Sequence, residues 1–379
     1  LTGILSNHRF LWRCLSPVQT PATVAVLRGD MAASGIAWDE VLRIADREML
    51  SALLCRALAA KGLLDAVPEG IRGPLQRRLT INGVRNERIK QQASEIVAAL
   101  NRTGIEPIIL KGGLHLFEST PADLGTRMMR DLDFVVPKDE LDQAVECLSA
   151  IGYRPDLEGE SWTYHYPPLS RAGEFAPIDV HRYVGEQKDI LPHGEAWREA
   201  VPVPAGDLRL RALCPTHRVF HNIFHSQVQD RGHELGIIYP RQLYALADMC
   251  TSHASAIDWD SLLRRMDGQG LGPQLRARMY QAARLFGVPL PRALSPTLGA
   301  RFHHRRCLVQ LRRRWLMRLV HEWAGATQPF KRHHMDLIYG CGTNPIKVNA
   351  YRVRHAWYLL RKYRGQIRSK TVEKRATYD

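Results

Sequence analysis

The sequence predicts an α+β protein: a small mixed sheet flanked by N-terminal and C-terminal helical regions. Three observations predict it. Apolar residues recur at helical spacing through the first hundred positions. Short β-rich runs bounded by turn residues follow, at 106–110 and 131–136. Helical periodicity then returns after Pro215 and continues nearly to the end.

In chain order, residues 38–61 place Val41, Leu42, Ile44, Ala45, Leu50, Leu53, Leu54 and Leu58 on one helix face, and Gly62 ends the run. A longer helix is expected from Pro74 to Thr103 on the face of Ile89, Ala93, Ile96 and Leu100, stopped by Gly104. Glu106–Leu110 reads as a strand ending at Lys111-Gly112-Gly113, and Asp131–Val136 as a second strand ended by Pro137. Asp139 is placed to cap a helix through Leu148, with Gly152 beyond its end. Trp162–Pro167 and Ile178–Val184 are further strands. Helices are expected at His217–Gln229, Arg241–Ser252, Trp259–Met266 and Leu275–Phe286, then at 301–323 and Tyr351–Tyr363. The expected organisation is a helical region at 1–103, the α/β core at 104–190, a second helical region at 191–300 and a basic helical extension at 301–379.

The chain has 379 residues, of which 45% are hydrophobic and 24% charged, so wholesale disorder, a collagen-like fibre and a disulfide-scaffold peptide are excluded. The net charge of +15 lies entirely after residue 300, where 19 Lys and Arg face four acidic residues. Such a local excess points to an anionic partner. Seven cysteines show no C-x-x-C spacing, which argues against zinc and disulfides and for a reducing, cytoplasmic setting. No apolar run reaches the length of a membrane span, and His8, Arg9 and Arg13 interrupt any signal-peptide pattern.

Asp131 and Asp133 are two apart on an expected strand, so both carboxylates project to one side. Paired hard oxygens suit Mg²⁺. Alone, D-x-D is also the pattern of a solvated edge. Lys111-Gly112-Gly113, after a strand, lets backbone approach an anion, and Lys111 adds a charge. If Leu114–Glu118 is helical, its start favours phosphate further; an ordinary strand–helix turn gives the same residues. Asp179 sits between Ile178 and Val180 and requires solvent or a partner. Three carboxylates on neighbouring strands would hold two metal ions on a triphosphate.

These motifs carry a resemblance. Ile109-Leu110-Lys111-Gly112, then Arg127 and Arg130-Asp131-Leu132-Asp133-Phe134-Val135, then Leu148 with Gly152-Tyr153, then Ile178-Asp179-Val180-His181 resemble the bacterial uncharacterised nucleotidyltransferase family. That family lies in the DNA polymerase beta-like nucleotidyltransferase superfamily. The likeness spans roughly residues 38–292, with Trp38–Leu58, His221, His225, Leu243 to Asp248 and Ala282–Pro291 outside the central motifs. It implies a nucleotidyltransferase-type core acting on a nucleoside triphosphate with two Mg²⁺ ions. It implies metal binding and catalysis by Asp131, Asp133 and Asp179, and phosphate binding by Gly112 and Gly113. Gly113 stands eighteen residues before Asp131, a longer insert than is usual in the superfamily. Relatives in lasso-peptide gene clusters make a peptide acceptor an expectation.

Further candidates surround this set. Arg127 and Arg130 are placed to neutralise phosphate, or to pair with Glu118 or Asp123. His217, His221 and His225 share a helix face; no carboxylate or cysteine is spaced to complete a zinc set, so His221 or His225 is expected to line the nucleotide cleft. His181 shares the face of Asp179 as a partner of the carboxylate or a structural histidine, and Asp248 would orient a histidine, hold the acceptor or make a structural hydrogen bond. Arg305, Arg306, Arg312, Arg313, Arg314 and Arg318 beside Leu308, Leu311, Trp315, Leu319 and Trp323 form a basic amphipathic stretch for an acidic or phosphorylated peptide, RNA, a membrane surface or solvent. The competing functions are an RNA-directed transferase or toxin, and a nucleotide- or RNA-binding protein without turnover.

Overall fold

A seven-stranded mixed sheet organises the protein. The computed structural model describes residues 3–33, 35–156, 166–185, 190–331, 335, 338–340 and 345–358. The chain runs through α1 (Ile4–Leu15), α2 (Pro21–Ala32), α3 (Trp38–Arg47), α4 (Ser51–Ala60) and the long α5 (Glu69–Arg102). The sheet region follows with β1 (Ile108–Ile109), α6 (His115–Glu118), β2 (Leu132–Val135), α7 (Leu141–Ala150), β3 (Arg154–Pro155), β4 (Leu169–Ser170), β5 (Ile178–His181), α8 (His193–Glu199), β6 (Val201–Pro202) and β7 (Arg211–Ala212). Helices α9 (Pro215–Phe224), α10 (Gly232–Leu235), α11 (Pro240–Ser252), α12 (Trp259–Gly268), α13 (Gly272–Phe286), α14 (Leu298–Arg312) and α15 (Arg314–Thr327) complete the order.

The strands lie in the order β3-β4-β5-β2-β1-β7-β6. β2 is parallel to β5 and antiparallel to β1, while β1 is parallel to β7. Alternation divides the sheet into two faces. Ile109, Leu132, Phe134, Ile178 and Val180 pack with α7 and the second half of α5. Ile108, Leu110 and Val135 join the larger core made with α1, α4, α9, α11 and α13. Asp133, in step with Val135, therefore faces the helical half.

Several expected elements differ. The helix expected over 38–61 is two helices, because Met49 adopts a left-handed φ of 56° between α3 and α4 and Ser51 turns back to hydrogen-bond Asp46. Helix α5 starts at Glu69 and runs through Pro74, whose missing N–H falls in the second turn. Asp139 does not cap: it lies in a 3₁₀ turn, and α7 begins after Glu140 without a side-chain cap. The expected helix over 301–323 breaks at Arg313. Of the strand expected at Trp162–Pro167, residues 162–165 lie outside the described residues, as do 359–363 of the last expected helix. The sheet also continues beyond residue 190 through the β6–β7 hairpin.

The chain divides into two units, Leu1–Arg312 and Arg313–Asp379. The first holds the sheet and both large cores. In the second, α15 exposes Trp315, Leu319 and Trp323, and a small cluster gathers Met335 and Val348 beside Tyr339 and Tyr351. Among the described residues no helix is long and apolar enough to cross a membrane, and the six described cysteines are all free.

Candidate active site

The parallel register of β2 and β5 sets Asp133 directly opposite Asp179. On β5, Ile178 and Val180 anchor one face in the core, so Asp179 and His181 project from the other. Carboxylate oxygens of Asp133 and Asp179 and a ring nitrogen of His181 lie within 4.8 Å of one another. His181 Nε2 is 3.0 Å from Asp133 Oδ1, so the histidine meets the carboxylate on the neighbouring strand. Asp131 immediately precedes β2, outside this trio, but close enough to feel the charge of Asp133. Burial and that like charge push Asp131 up from its ordinary value, with Lys111 and Arg241 opposing.

Lys111 is the counter-ion. Its Nζ donates to Asp133 Oδ1 at 2.6 Å. Burial works against the charged form of Asp133, whose side chain is 2% exposed, yet the His181 hydrogen bond and the Lys111 charge hold it well below the usual carboxylate range. Desolvation likewise works against Lys111, but Asp133 raises it above its ordinary value. The backbone of Lys111 is left-handed, with φ 48°, an uncommon conformation for a residue with a Cβ. It turns the chain out of β1 and aims the ammonium back over the sheet.

Gly112 and Gly113 are needed for close packing. A Cβ on Gly112 would lie 2.8 Å from Met129 Cγ and 3.2 Å from Arg127 Nε; one on Gly113 would lie 2.7 Å from Ile109 Cδ1. The Gly113 N–H donates to Leu110 O at 3.1 Å, so it is engaged within the turn. The Gly112 N–H makes no hydrogen bond among the described residues. The expected helix after the glycines exists as α6, a single turn.

Arg127 is placed by α5. Asn82 and Asn86, one turn apart, donate to the Gly125, Arg127 and Leu124 carbonyls at 2.7–3.0 Å. The helix comes close because Gly125 presents no side chain: a Cβ there would lie 2.4 Å from Leu79 O. The resulting guanidinium has no carboxylate within ion-pair distance among the described residues. Glu118 is taken by Arg218 at 2.6 Å and Asp123 by Arg56 at 2.7 Å, so neither expected pairing forms. Burial and the nearby Arg241 push Arg127 down to about 10. A desolvated guanidinium without an anion is prepared for one. Arg130 is exposed.

Helices α9 and α11 close the surroundings. Arg241, in the first turn of α11, donates to Met128 O at 3.2 Å and interacts with Asp131. Asp248 lies further along α11, within electrostatic reach of His253 and Arg127. His221 is buried within electrostatic reach of Lys111, Asp133 and His181, and burial holds it well below its ordinary value, hence neutral. The His225 ring lies 6.1 Å from that of His221, and its Nδ1 is 3.1 Å from Asp230, at the start of a π-helical turn over His225–Gln229. His217 points elsewhere, to Glu195 and Glu199 of α8, each 3.4 Å away, and the structure brings Cys214 to the same place. That corrects the expectation that no carboxylate or cysteine completes a set with this histidine.

Asn82, Asn86 and Arg241 were not legible as site residues. The only signal for the asparagines is the presence of two poor helix formers, four apart, on the inner face of a long helix. For Arg241 no local signal exists, since its partner Asp131 is 110 positions away.

A family model described as "Uncharacterised nucleotidyltransferase" matches residues 34–287, about two-thirds of the chain. No curated protein and no solved structure matches. The match covers α3 to α5, the sheet with Asp131, Asp133 and Asp179, and the helices through α13. The chain belongs to the uncharacterised nucleotidyltransferase family and is a transferase of nucleoside monophosphate groups from nucleoside triphosphates.

Proposed function

We propose that the protein moves a nucleoside monophosphate from a Mg²⁺-bound nucleoside triphosphate to an acceptor hydroxyl, phosphate or amine, and that Asp131, Asp133 and Asp179 form its metal-binding and catalytic centre. The observation that carries this reading is the parallel register that sets Asp133 against Asp179, with Asp131 beside them. The donor chemistry fits a hard cation: carboxylate oxygens from adjacent strands, with an ammonium already attracted to one of them. When bound, Mg²⁺ supplies charge neutralisation on the phosphates.

The remaining roles belong to the chain's own groups. Lys111, Arg127 and Arg241 offer positive charge to the triphosphate, and Arg130 offers a further, exposed one. The free N–H of Gly112, beside Arg127, supports a phosphate contact there; Gly113 serves the turn. His181 orients Asp133, and neutral His221 lines the site without adding charge. The acceptor's oxygen or nitrogen forms a bond to the α-phosphorus as the bridging bond to the β-phosphate breaks. Pyrophosphate departs with that electron pair, and Asp179 takes the acceptor's proton. Catalysis is then chiefly positioning and electrostatics.

For the acceptor, the 19 basic residues after position 300 support an anion. We propose an acidic or phosphorylated peptide, with lasso-type natural products as the class to examine first.

Calorimetry of the four common nucleoside triphosphates, with and without Mg²⁺, tests the centre without knowledge of the acceptor. Metal-dependent binding is expected in the wild type and is expected to be lost in the Asp131→Asn/Asp133→Asn double variant. Equal binding by both proteins would overturn the assignment. For the acceptor, RNA that displaces an acidic peptide would move the reading from peptide to RNA.

A further inference from the structure

One other group of metal donors converges among the described residues, away from the carboxylate centre: Glu199 at the end of α8, Cys214 preceding α9 and His217 in its first turn. Their ligand atoms lie within 4.8 Å of one another. His217 Nε2 is 3.4 Å from Glu199 Oε2, and Cys214 Sγ is 4.0 Å from the same oxygen. A tetrahedral zinc ion, with nitrogen and oxygen at about 2.1 Å and sulfur at about 2.3 Å, sets its N and O ligands about 3.4 Å apart and its S and O ligands about 3.6 Å apart. The first spacing is already met. The second needs a small rotation of Glu199, whose side chain is 45% exposed and has room to make it.

Chemistry selects the ion. Thiolate, imidazole and carboxylate together suit zinc, whereas Mg²⁺ prefers oxygen alone. A thiolate and a carboxylate carry two negative charges, which balance a divalent cation. In the metal-free protein burial pushes the Cys214 thiol up from its ordinary value, with the backbone N–H groups of His217 and Thr216 opposing, so zinc binding would release the thiol's proton. Glu195 Oε1 also lies 3.4 Å from His217 Nε2, but Arg265 engages that carboxylate, so the set is three protein ligands.

We propose that Glu199, Cys214 and His217 form a zinc site that pins the base of the β6–β7 hairpin to the start of α9. The hairpin lies between Glu199 and Cys214, so one ion closes it at both ends. β7 pairs with β1, which leads into Lys111, and α9 carries His221 one turn beyond His217. The metal therefore holds two elements that feed the candidate active site. This proposal stands independently of the proposed reaction.

The test uses the full-length protein, freed of metal by chelator and titrated with Co²⁺, then Zn²⁺. A thiolate-to-cobalt charge-transfer band in the near ultraviolet is expected, saturating at a single equivalent and bleached by Zn²⁺. Cys214→Ser should abolish the band with unchanged far-ultraviolet dichroism. Asp133→Asn should keep it, because that centre holds no thiolate. Glu199→Gln, at an exposed position, should weaken Co²⁺ binding at least about tenfold; it decides the matter if the cysteine variant does not fold. A folded wild type without the band, or a band unchanged in Cys214→Ser or Glu199→Gln, overturns the proposal.

Discussion

Asp133 shows how one residue serves both stability and chemistry. Its carboxylate is buried, bonded to His181 and paired with Lys111. Asp133→Asn leaves the Lys111 ammonium without its partner, so a loss of about 3 kcal/mol in thermal unfolding is expected. Activity should fall at least about 100-fold. The pH dependence follows from the depressed native value. Asp133's contribution is complete above the unfolded carboxylate value, near pH 4, and is lost as pH falls through the native one. Melting curves taken downward from about pH 4 should therefore fall more steeply for wild type than for Asp133→Asn. Asp131 has the opposite sign: burial and Asp133 raise it, so its ionised form destabilises the metal-free protein. Asp131→Asn is expected to raise the metal-free melting temperature by about 2 °C at neutral pH while removing metal-dependent nucleotide binding. A lower melting temperature would contradict the repulsion.

At the scale of elements, α5 is the beam on which Arg127 is mounted. Asn86 donates to two buried carbonyls, Leu124 O and Arg127 O. Asn86→Ala should cost about 2 kcal/mol and weaken triphosphate binding as Arg127 loosens; melts and calorimetry on one sample read both. The two glycine contacts differ in what must yield. At Gly113 the obstacle is the Ile109 side chain, with Cγ1 and Cδ1 both 2.7 Å away, at Gly125 the backbone of α5. Gly125→Ala is therefore expected to cost about 3 kcal/mol and Gly113→Ala about 1 kcal/mol, compared by thermal unfolding. The strongest amphipathic helices were legible because packing repeats every turn. Helix α2 was not: Leu27 is its only buried residue, so no apolar stripe shows a period. β3, β4, β6 and β7 have two residues each, too few to show alternation.

Along the whole chain, the net charge gathers at one end. The first 300 residues are neutral in sum and the remainder carries +15. Not all of that is free for a partner: Arg306 donates to the His233 and Glu234 carbonyls. Arg313, Arg314 and Arg318 are exposed. Their joint replacement by Glu should weaken binding of an anionic peptide and flatten its salt dependence, leaving triphosphate affinity unchanged. Fluorescence anisotropy across a salt series measures the first, calorimetry the second.

The sequence by itself determined the fold class and pointed to Lys111, Asp131, Asp133 and Asp179, because strand alternation and short motif spacing are local properties of the chain. Tertiary structure alone decided which groups meet. It set His181 against Asp133 on the neighbouring strand, separated His221 from His217 along one helix face, and joined Arg127 to Asn82 and Asn86 across some forty positions. It also gathered Glu199, Cys214 and His217 from two sides of a hairpin. Each of these contacts depends on strand register or helix docking, and no spacing within a single segment encodes either.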